Sequence, residues 1–564
     1  MKKNVLYILT ALLLLAVTSC HDPEYVDPTV KRQGITSITA YFTSGPYNNM
    51  EMVKYDVADP SASEFVVPIP WFYPEDSNNE TTDYMSKVRL KIEIANNCII
   101  TPPVTVLDMN KANYFTFTEP DGTQRQISIR GERTKSNKCE LMTFDLKHPE
   151  LSGVVDNDAG TVSIISSTDI KDALADVTMS AHATITPDPS KVAFDVTSPA
   201  TAEFTVVAHN GVDKKTYKVV RAVLDKVDTG IREGSQRDLF KTDLSLLGVT
   251  DANAIHPTLA VVGSNLVVNF GDGSKPIYLN KITGSKKGEI NLGDADPSGS
   301  VASDCYGNML ICNYAPSGST FKVYKTSSVE EAPTLYFSMP NSLGLGLGSR
   351  VHIQGNLNGD AIISVTCEGN YAQHFVRAIV KDGVVGKPEL VTVNTPQWAG
   401  RDGNAKVVAK STNVNDGYFV GYYAGGADLF YYVGADNNPV SYIEPIGDGT
   451  SWGKNNNSCD TRYFNGASYT ALLSQGYWPD WGMPGILSIF STTSTANFSG
   501  TMDATKALYY TTTIPDYTSI PYAGDGRTGD VVMAPSVDGY KLNLYYISNT
   551  HLGIGGMEFD CIKK

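Results

Sequence analysis

The sequence predicts an all-β protein, two small β-sandwich modules followed by a C-terminal β-propeller, six-bladed by the count of its turns. Three observations carry that prediction. Tight turns recur through residues 237–564, at Gly263-Ser264-Asn265, Gly307-Asn308, Gly359-Asp360, Asp416-Gly417, Asn465-Gly466 and Asp538-Gly539. Gly and Asn reach positive φ at little cost, so such turns between β-rich runs mark hairpins. A third run follows each turn, from Ile277-Tyr278-Leu279 to Met557-Glu558-Phe559, and a fourth closes five of the six units, beginning with Ile290-Asn291-Leu292. Units of about 40–50 residues with four strands each are the pattern of propeller blades. The third observation is the exception. No fourth strand follows Phe559, while a spare one, Leu239-Phe240-Lys241-Thr242-Asp243-Leu244, stands at the start of the block. Lending it to the last blade closes the ring and leaves no open sheet edge. The turn spacing is uneven, which keeps seven blades open.

From the N-terminus, residues 1–20 read as a lipoprotein signal peptide. Lys2 and Lys3 precede an apolar run, Val5 to Val17, and Val17-Thr18-Ser19-Cys20 has the small residues ending in cysteine at which a leader is cut and the thiol lipidated. The apolar run is too short for a membrane-spanning helix, and no other run approaches the length needed. Residues 21–34 are a polar, acidic spacer. An immunoglobulin-like sandwich is expected over 35–134 and an immunoglobulin- or cadherin-like one over 135–224, because alternating runs repeat between them. Ile100-Thr101-Pro102 matches Ile185-Thr186-Pro187. Phe115-Thr116-Phe117, turn Asp121-Gly122 and Ile127-Ser128-Ile129 match Phe204-Thr205-Val206, turn Asn210-Gly211 and Tyr217-Lys218-Val219. The first module carries an apolar insert, Phe65 to Tyr73, in which Trp71 reads as packing or a module interface. Residues 225–236, rich in charge and glycine, read as a linker to the propeller at 237–564.

Charge bounds the partners. With 45 Lys and Arg against 60 Asp and Glu the formal charge is −15, which argues against nucleic acid and anionic lipid head groups. Seven cysteines remain beside Cys20, at wide and unrelated spacings and with no Cys-x-x-Cys, so no disulfide framework is indicated. No nucleophile elbow, zinc-protease helix, phosphate-binding glycine loop or calcium loop is present, so the sequence indicates no metal, no cofactor and no catalytic residue.

The candidate site follows from the alternation of strand direction within a blade. Loops between second and third strands share one face with the crossings from one blade to the next. Trp398 falls in the crossing from the third unit to the fourth, and Trp452 in the crossing from the fourth to the fifth. Tyr477, Trp478 and Trp481 fall in the second-to-third loop of the fifth unit. Arg401 and Asp402 lie beside Trp398, and Gln397, Lys454 and Asp480 are further polar neighbours. Arg527 and Asp525 reach the same face from the crossing into the sixth unit. Indole faces beside planar polar groups suit sugars, whose C–H faces stack on π-systems while hydroxyls take paired hydrogen bonds.

The layout of lipidation motif, tandem sandwich repeats ending in a Tyr-x-Val strand after an Asn-Gly turn, and C-terminal binding domain resembles surface lipoproteins of Bacteroidetes glycan-utilisation loci. The resemblance implies a non-catalytic glycan-binding protein, lipid-anchored in the outer membrane and facing outward, beside an outer-membrane transporter. Two other readings remain at this stage: a propeller glycoside hydrolase or polysaccharide lyase, marked by two carboxylates pointing into the channel, and an adhesive or structural surface protein.

Overall fold

The computed structural model describes residues 34–198, 201–369, 372–398, 405–423, 429–444, 453–524 and 527–564. Among these residues, six sheets of four or five strands build the block that starts at Arg237. Five have as their inner strand Thr258–Val262, Val301–Ser303, Gly346–Gly355, Lys406–Ala409 or Lys454–Phe464, and their main strands run outward in chain order. In the sixth the inner strand is Gly529–Pro535. Each inner strand touches the next, and the last touches the first, so six blades close a ring. The uneven turn spacing comes from long crossings such as residues 514–528, not from a seventh blade.

The closing strand lies where closure requires it. Arg237–Asp243 pairs antiparallel with Gly553–Asp560, with Phe240 opposite Gly556 and Asp243 opposite Gly553. Phe240 explains two glycines. A Cβ on Gly284 of the first blade would come within 2.4 Å of its ring, and one on Gly556 within 2.9 Å. One phenylalanine thus packs the last blade against the first, with Leu244, Leu266 and Ile554 in the same apolar cluster. The outer strand of the first blade is Lys286–Glu289, just before the expected Ile290-Asn291-Leu292. An outer strand faces water on one side and tolerates lysines, whereas Ile290 turns inward and is buried.

The linker residues 225–236 are pinned to the side of the ring that carries the first-to-second-strand turns. Leu224 N donates to Tyr540 Oη at 2.8 Å, Gly230 N to the Asn465 carbonyl at 2.6 Å, and Ile231 N to Tyr469 Oη at 2.8 Å. Arg232 grips Asp560 with two nitrogens at 2.9 and 2.7 Å, and Ile231 is buried in the core between the fifth and sixth blades. The same side is approached by the second module, where Ser167 N donates to the Asp538 carbonyl at 2.9 Å.

The first module is the expected sandwich. One sheet runs Glu51–Asp56, Ile35–Phe42, Val88–Ile94, Val106–Leu107; the other runs Glu64–Pro70, Gln124–Thr134, Asn113–Thr118, Ile99–Thr101. Ile38, Phe42, Phe65, Val88, Phe117 and Ile129 fill the space between them. The internal repeat is a repeat of pairing. Glu64–Pro70 lies parallel to the end of Gln124–Thr134, and Thr161–Ile165 lies parallel to Lys218–Ala222 in the second module. Likewise Ile99–Thr101 pairs with Thr116–Thr118, and Thr184–Thr186 with Thr205–Val207. The second module does not stand as a separate body, however. Residues 135–142, 178–188 and 204–217 group with the first module, and its remaining residues group with the propeller.

Candidate ligand-binding face

The fifth blade leaves its second strand at Gly476 and enters a short 3-10 turn, Pro479–Trp481. Proline at the start presets φ, and Gly482 ends the turn at φ 74°, with its N–H on the Pro479 carbonyl at 2.8 Å. Trp481 N and Met483 N both bond the Trp478 carbonyl, at 3.0 and 3.3 Å. The loop is therefore held by its own backbone, and its rings are set rigidly.

Those rings form a stack. Arg527 Cζ lies 4.5 Å from the centre of the Trp478 ring, and Trp481 stacks on Trp478 at 4.9 Å with planes 19° apart. The same guanidinium lies 4.4 Å from the Tyr477 ring, and its Nε donates to the Ala523 carbonyl at 2.7 Å. Tyr477 stacks on Tyr423 at 4.7 Å. Trp478 is partly covered, and its indole Nε1 has no acceptor within reach. Trp481 is 68% exposed. The crossing from the fourth blade joins the group at Gly453, whose carbonyl accepts from Tyr477 N at 2.7 Å. A Cβ on Gly453 would meet Met483 Sδ at 2.6 Å, so glycine lets the crossing close against the loop.

The expected site residues fare differently. Trp481 is largely exposed, and Trp478 stacks against it. Tyr477 is buried and belongs to the foundation. Trp398 is a correction: it is fully buried, donates Nε1 to the Cys367 carbonyl at 3.3 Å, and packs on Tyr422. Trp398 itself packs between the third and fourth blades, with Phe375, Val391, Val407 and Tyr418 in one cluster. Lys454, expected as a polar neighbour of the tryptophans, is buried with Nζ on the Pro484 carbonyl at 2.9 Å. Arg401, Asp402, Trp452 and Asp525 lie outside the described residues, as does Cys20.

Behind this face the axis of the ring is plugged by charge. Asp460 accepts from His352 Nε2 at 2.9 Å, Thr461 N at 2.8 Å and Met533 N at 2.7 Å, and pairs with Arg462 at 3.0 Å. Asp530 is held by Lys406 Nζ, Leu259 N and Val531 N. Burial opposes the charge on Asp460, but Arg462 and His352 outweigh it and hold the carboxyl below its ordinary range. Burial pushes His352 down to about 4, against the partial pull of Asp460, so the imidazole is neutral at pH 7. The cavity lined by His352, Lys406, Asp460 and Arg462 is about 10 Å³, enough for one water and not for a sugar ring. Sequence reading missed this network because its inner strands are polar where they face the axis. The signal was there as charges two residues apart, Asp460 and Arg462, within a β-run.

The cysteines from Cys98 to Cys561 are free thiols, and burial raises Cys305 to about 11 and Cys367 and Cys459 to about 12. Thiols so raised are poor nucleophiles. His551 lies 3.5 Å from Asp516 through Nδ1, but its Nε2 accepts from Gly476 N at 3.2 Å. Among the described residues no group of three His, Cys, Asp or Glu is placed to hold a metal ion.

Residues 238–560 match the family model of a domain of unknown function, DUF8500. Residues 15–131 match DUF5018 and residues 141–221 match DUF8499, both also domains of unknown function. No curated protein matches the chain. Among solved structures, a DUF4623 family protein from Bacteroides eggerthii is 15% identical, with 75% of this chain and 99% of that one covered at a TM-score of 0.42. A GH43 endo-arabinanase from Bacillus licheniformis is 11% identical, with 48% and 95% covered at 0.29. The WD40 domain of Toxoplasma gondii coronin is 10% identical, with 60% and 90% covered at 0.29. At these scores the similarities carry no functional inference.

Proposed function

The chain belongs to the DUF8500 family, and we propose that this member is a lipid-anchored outer-membrane protein that binds glycans on its propeller face without catalysis. The observation that carries this reading is the Arg527–Trp478–Trp481 stack. It holds an exposed indole rigidly on the face opposite the linker. A sugar ring laid on Trp481 gains stacking without ordering the side chain, the cost that usually weakens such contacts. Asp480, exposed beside it, accepts hydroxyl hydrogens. A hydrolase or lyase reading is disfavoured because both axial carboxylates are fully engaged and sealed from substrate. The anchor at Cys20 would keep this binding at the membrane, where a bound glycan is handed to a transporter.

Two variants test the site. Trp481→Ala should weaken glycan binding roughly tenfold, as loss of one aromatic platform does. It should change stability by less than about 0.5 kcal/mol, because the ring is mostly in water. Trp398→Ala should do the reverse, costing about 3–5 kcal/mol with affinity retained in the folded fraction. A glycan array on the wild type, followed by titrations and thermal melts on both variants, measures this. Unchanged affinity in Trp481→Ala would remove the platform from the account.

Cys20→Ala should move the protein from the detergent-extracted membrane fraction to the soluble one. Retention of the variant in the membrane at wild-type levels would refute the anchor.

A further inference from the structure

A groove of about 650 Å³ in the N-terminal unit lies where the apolar insert of the first module meets two histidines. Its volume is that of a small-molecule site. One wall is Trp71 and Phe72, and the other is the chain leaving Gln124–Thr134, with Lys135 and Asn137. Phe72 stacks on His182 at 4.1 Å and on His209 at 5.4 Å, while the two imidazoles are only 5.2 Å apart. Those three separations put both histidines on one side of Phe72, so its other face is not taken by either. Trp71 is fixed by Arg133, whose Cζ is 3.9 Å from the ring centre and whose Nη2 binds both the Trp71 carbonyl and Glu80. These rings are braced, yet each remains only partly covered.

The charge in the groove is unbalanced. Glu75 is engaged by Lys138 Nζ at 2.8 Å and Ser136 Oγ at 2.7 Å, which hold its carboxyl below the ordinary range. Arg133 is paired with Glu80 at 2.7 Å. Lys135 has no carboxylate partner among the described residues; its Nζ lies 5.2 Å from the Trp71 ring centre. Burial, then Lys135, then His182 lower the proton affinity of His209, so the ammonium acts on the interior of the groove.

We propose that this groove is a second binding site, for an acidic sugar whose ring lies against Phe72 and Trp71 and whose carboxylate meets Lys135. The rings match the C–H face of a pyranose, and the amide of Asn137 matches its hydroxyls. The Lys135 ammonium, which has no carboxylate partner among the described residues, matches one negative charge. This site is separate from the propeller platform.

The test uses the full chain carrying Trp481→Ala, which weakens the propeller platform about tenfold, and the Lys135 variants separate the groove from what remains there. Tetragalacturonate is titrated calorimetrically, beside its fully methyl-esterified form as a neutral ligand of the same shape. The acid should bind, and its affinity should fall as salt rises. The ester should bind at least about tenfold more weakly, the scale of a charge-assisted hydrogen bond. Lys135→Ala should weaken the acid to the level of the ester, and Lys135→Glu should abolish it. Lys135 is exposed and unpaired, so neither variant should alter the melt, and Phe72→Ala gives an independent loss of the stacking face. Equal binding of acid and ester, no binding of either at millimolar concentration, or indifference to Lys135→Glu would each overturn the proposal.

Discussion

A chain that begins at Thr250 is expected not to fold to a native propeller. It lacks Arg237–Asp243, so Gly553–Asp560 becomes an unpaired edge in the last blade, open to intermolecular pairing. It also loses Phe240 and Leu244 from the core that joins the sixth blade to the first, and the linker's Ile231 from the next core. Each buried side chain of this size is worth about 2–5 kcal/mol. Their sum is comparable to the whole stability of a domain, about 5–15 kcal/mol. A chain beginning at Leu224 keeps every one of these contacts and should melt cooperatively. One beginning at Ser235 keeps the closing strand but loses Ile231 and the Arg232–Asp560 pair, and should melt between the two. Circular dichroism melts of the three chains measure the order. Equal melting of all three would mean that the ring does not depend on this closure.

The second large effect is expected at the axis. Asp460→Ala leaves Arg462 buried with its guanidinium unpaired and removes the acceptor of His352 Nε2. Breaking a buried pair from one side costs about 3–5 kcal/mol, because the remaining charge has been taken from water without compensation. The wild type should show the same network in its pH dependence. His352 has an ordinary value of 6.5, depressed to about 4 by burial. Below pH 6.5 the unfolded chain takes a proton that the folded one refuses. Stability is therefore undiminished above pH 6.5, falls as pH drops towards 4, and stops falling from this cause below that. Asp460, with its carboxyl held below the ordinary range, keeps its charge across that window. Denaturant midpoints between pH 7 and pH 4 read the slope, and His352→Gln should remove the part due to this group. A flat profile in the wild type, or a tolerated Asp460→Ala, would contradict the reading of the plug.

Much of this architecture was written in local patterns. The hairpin turns lie between the strands they were expected to join, because Gly263, Gly307, Gly417, Gly466 and Gly539 all sit at positive φ, where other residues are strained. The closing strand was legible because a ring cannot leave an edge. The face of the Trp478 loop was legible from strand alternation alone, and its contact with Gly453 agrees with that reading. Burial was not. Trp398, Trp478 and Trp481 all stand among Gly, Pro and Asp, yet the first is buried, the second half-buried and the third largely exposed. Which way a crossing folds depends on the neighbouring blade, and no local pattern carries that. The inner strand Lys454–Phe464 shows the same limit from the other side. Its run of Asn, Ser, Asp, Thr and Arg has no apolar alternation, although it is almost entirely buried. Facing the axis of a ring, polar side chains satisfy one another, and hydrophobic periodicity fails as a guide.

The central claim is that glycan is held on Trp481, and fluorine labelling tests it most directly. The chain has five tryptophans, so 5-fluorotryptophan gives five fluorine resonances, assigned by single replacement with phenylalanine. On titration with the strongest glycan from the array, the Trp481 resonance should shift in proportion to occupancy. Trp478, stacked beneath it, should follow more weakly, and the buried Trp398 should not move. A glycan that binds at full occupancy while the Trp481 resonance stays fixed would contradict the account.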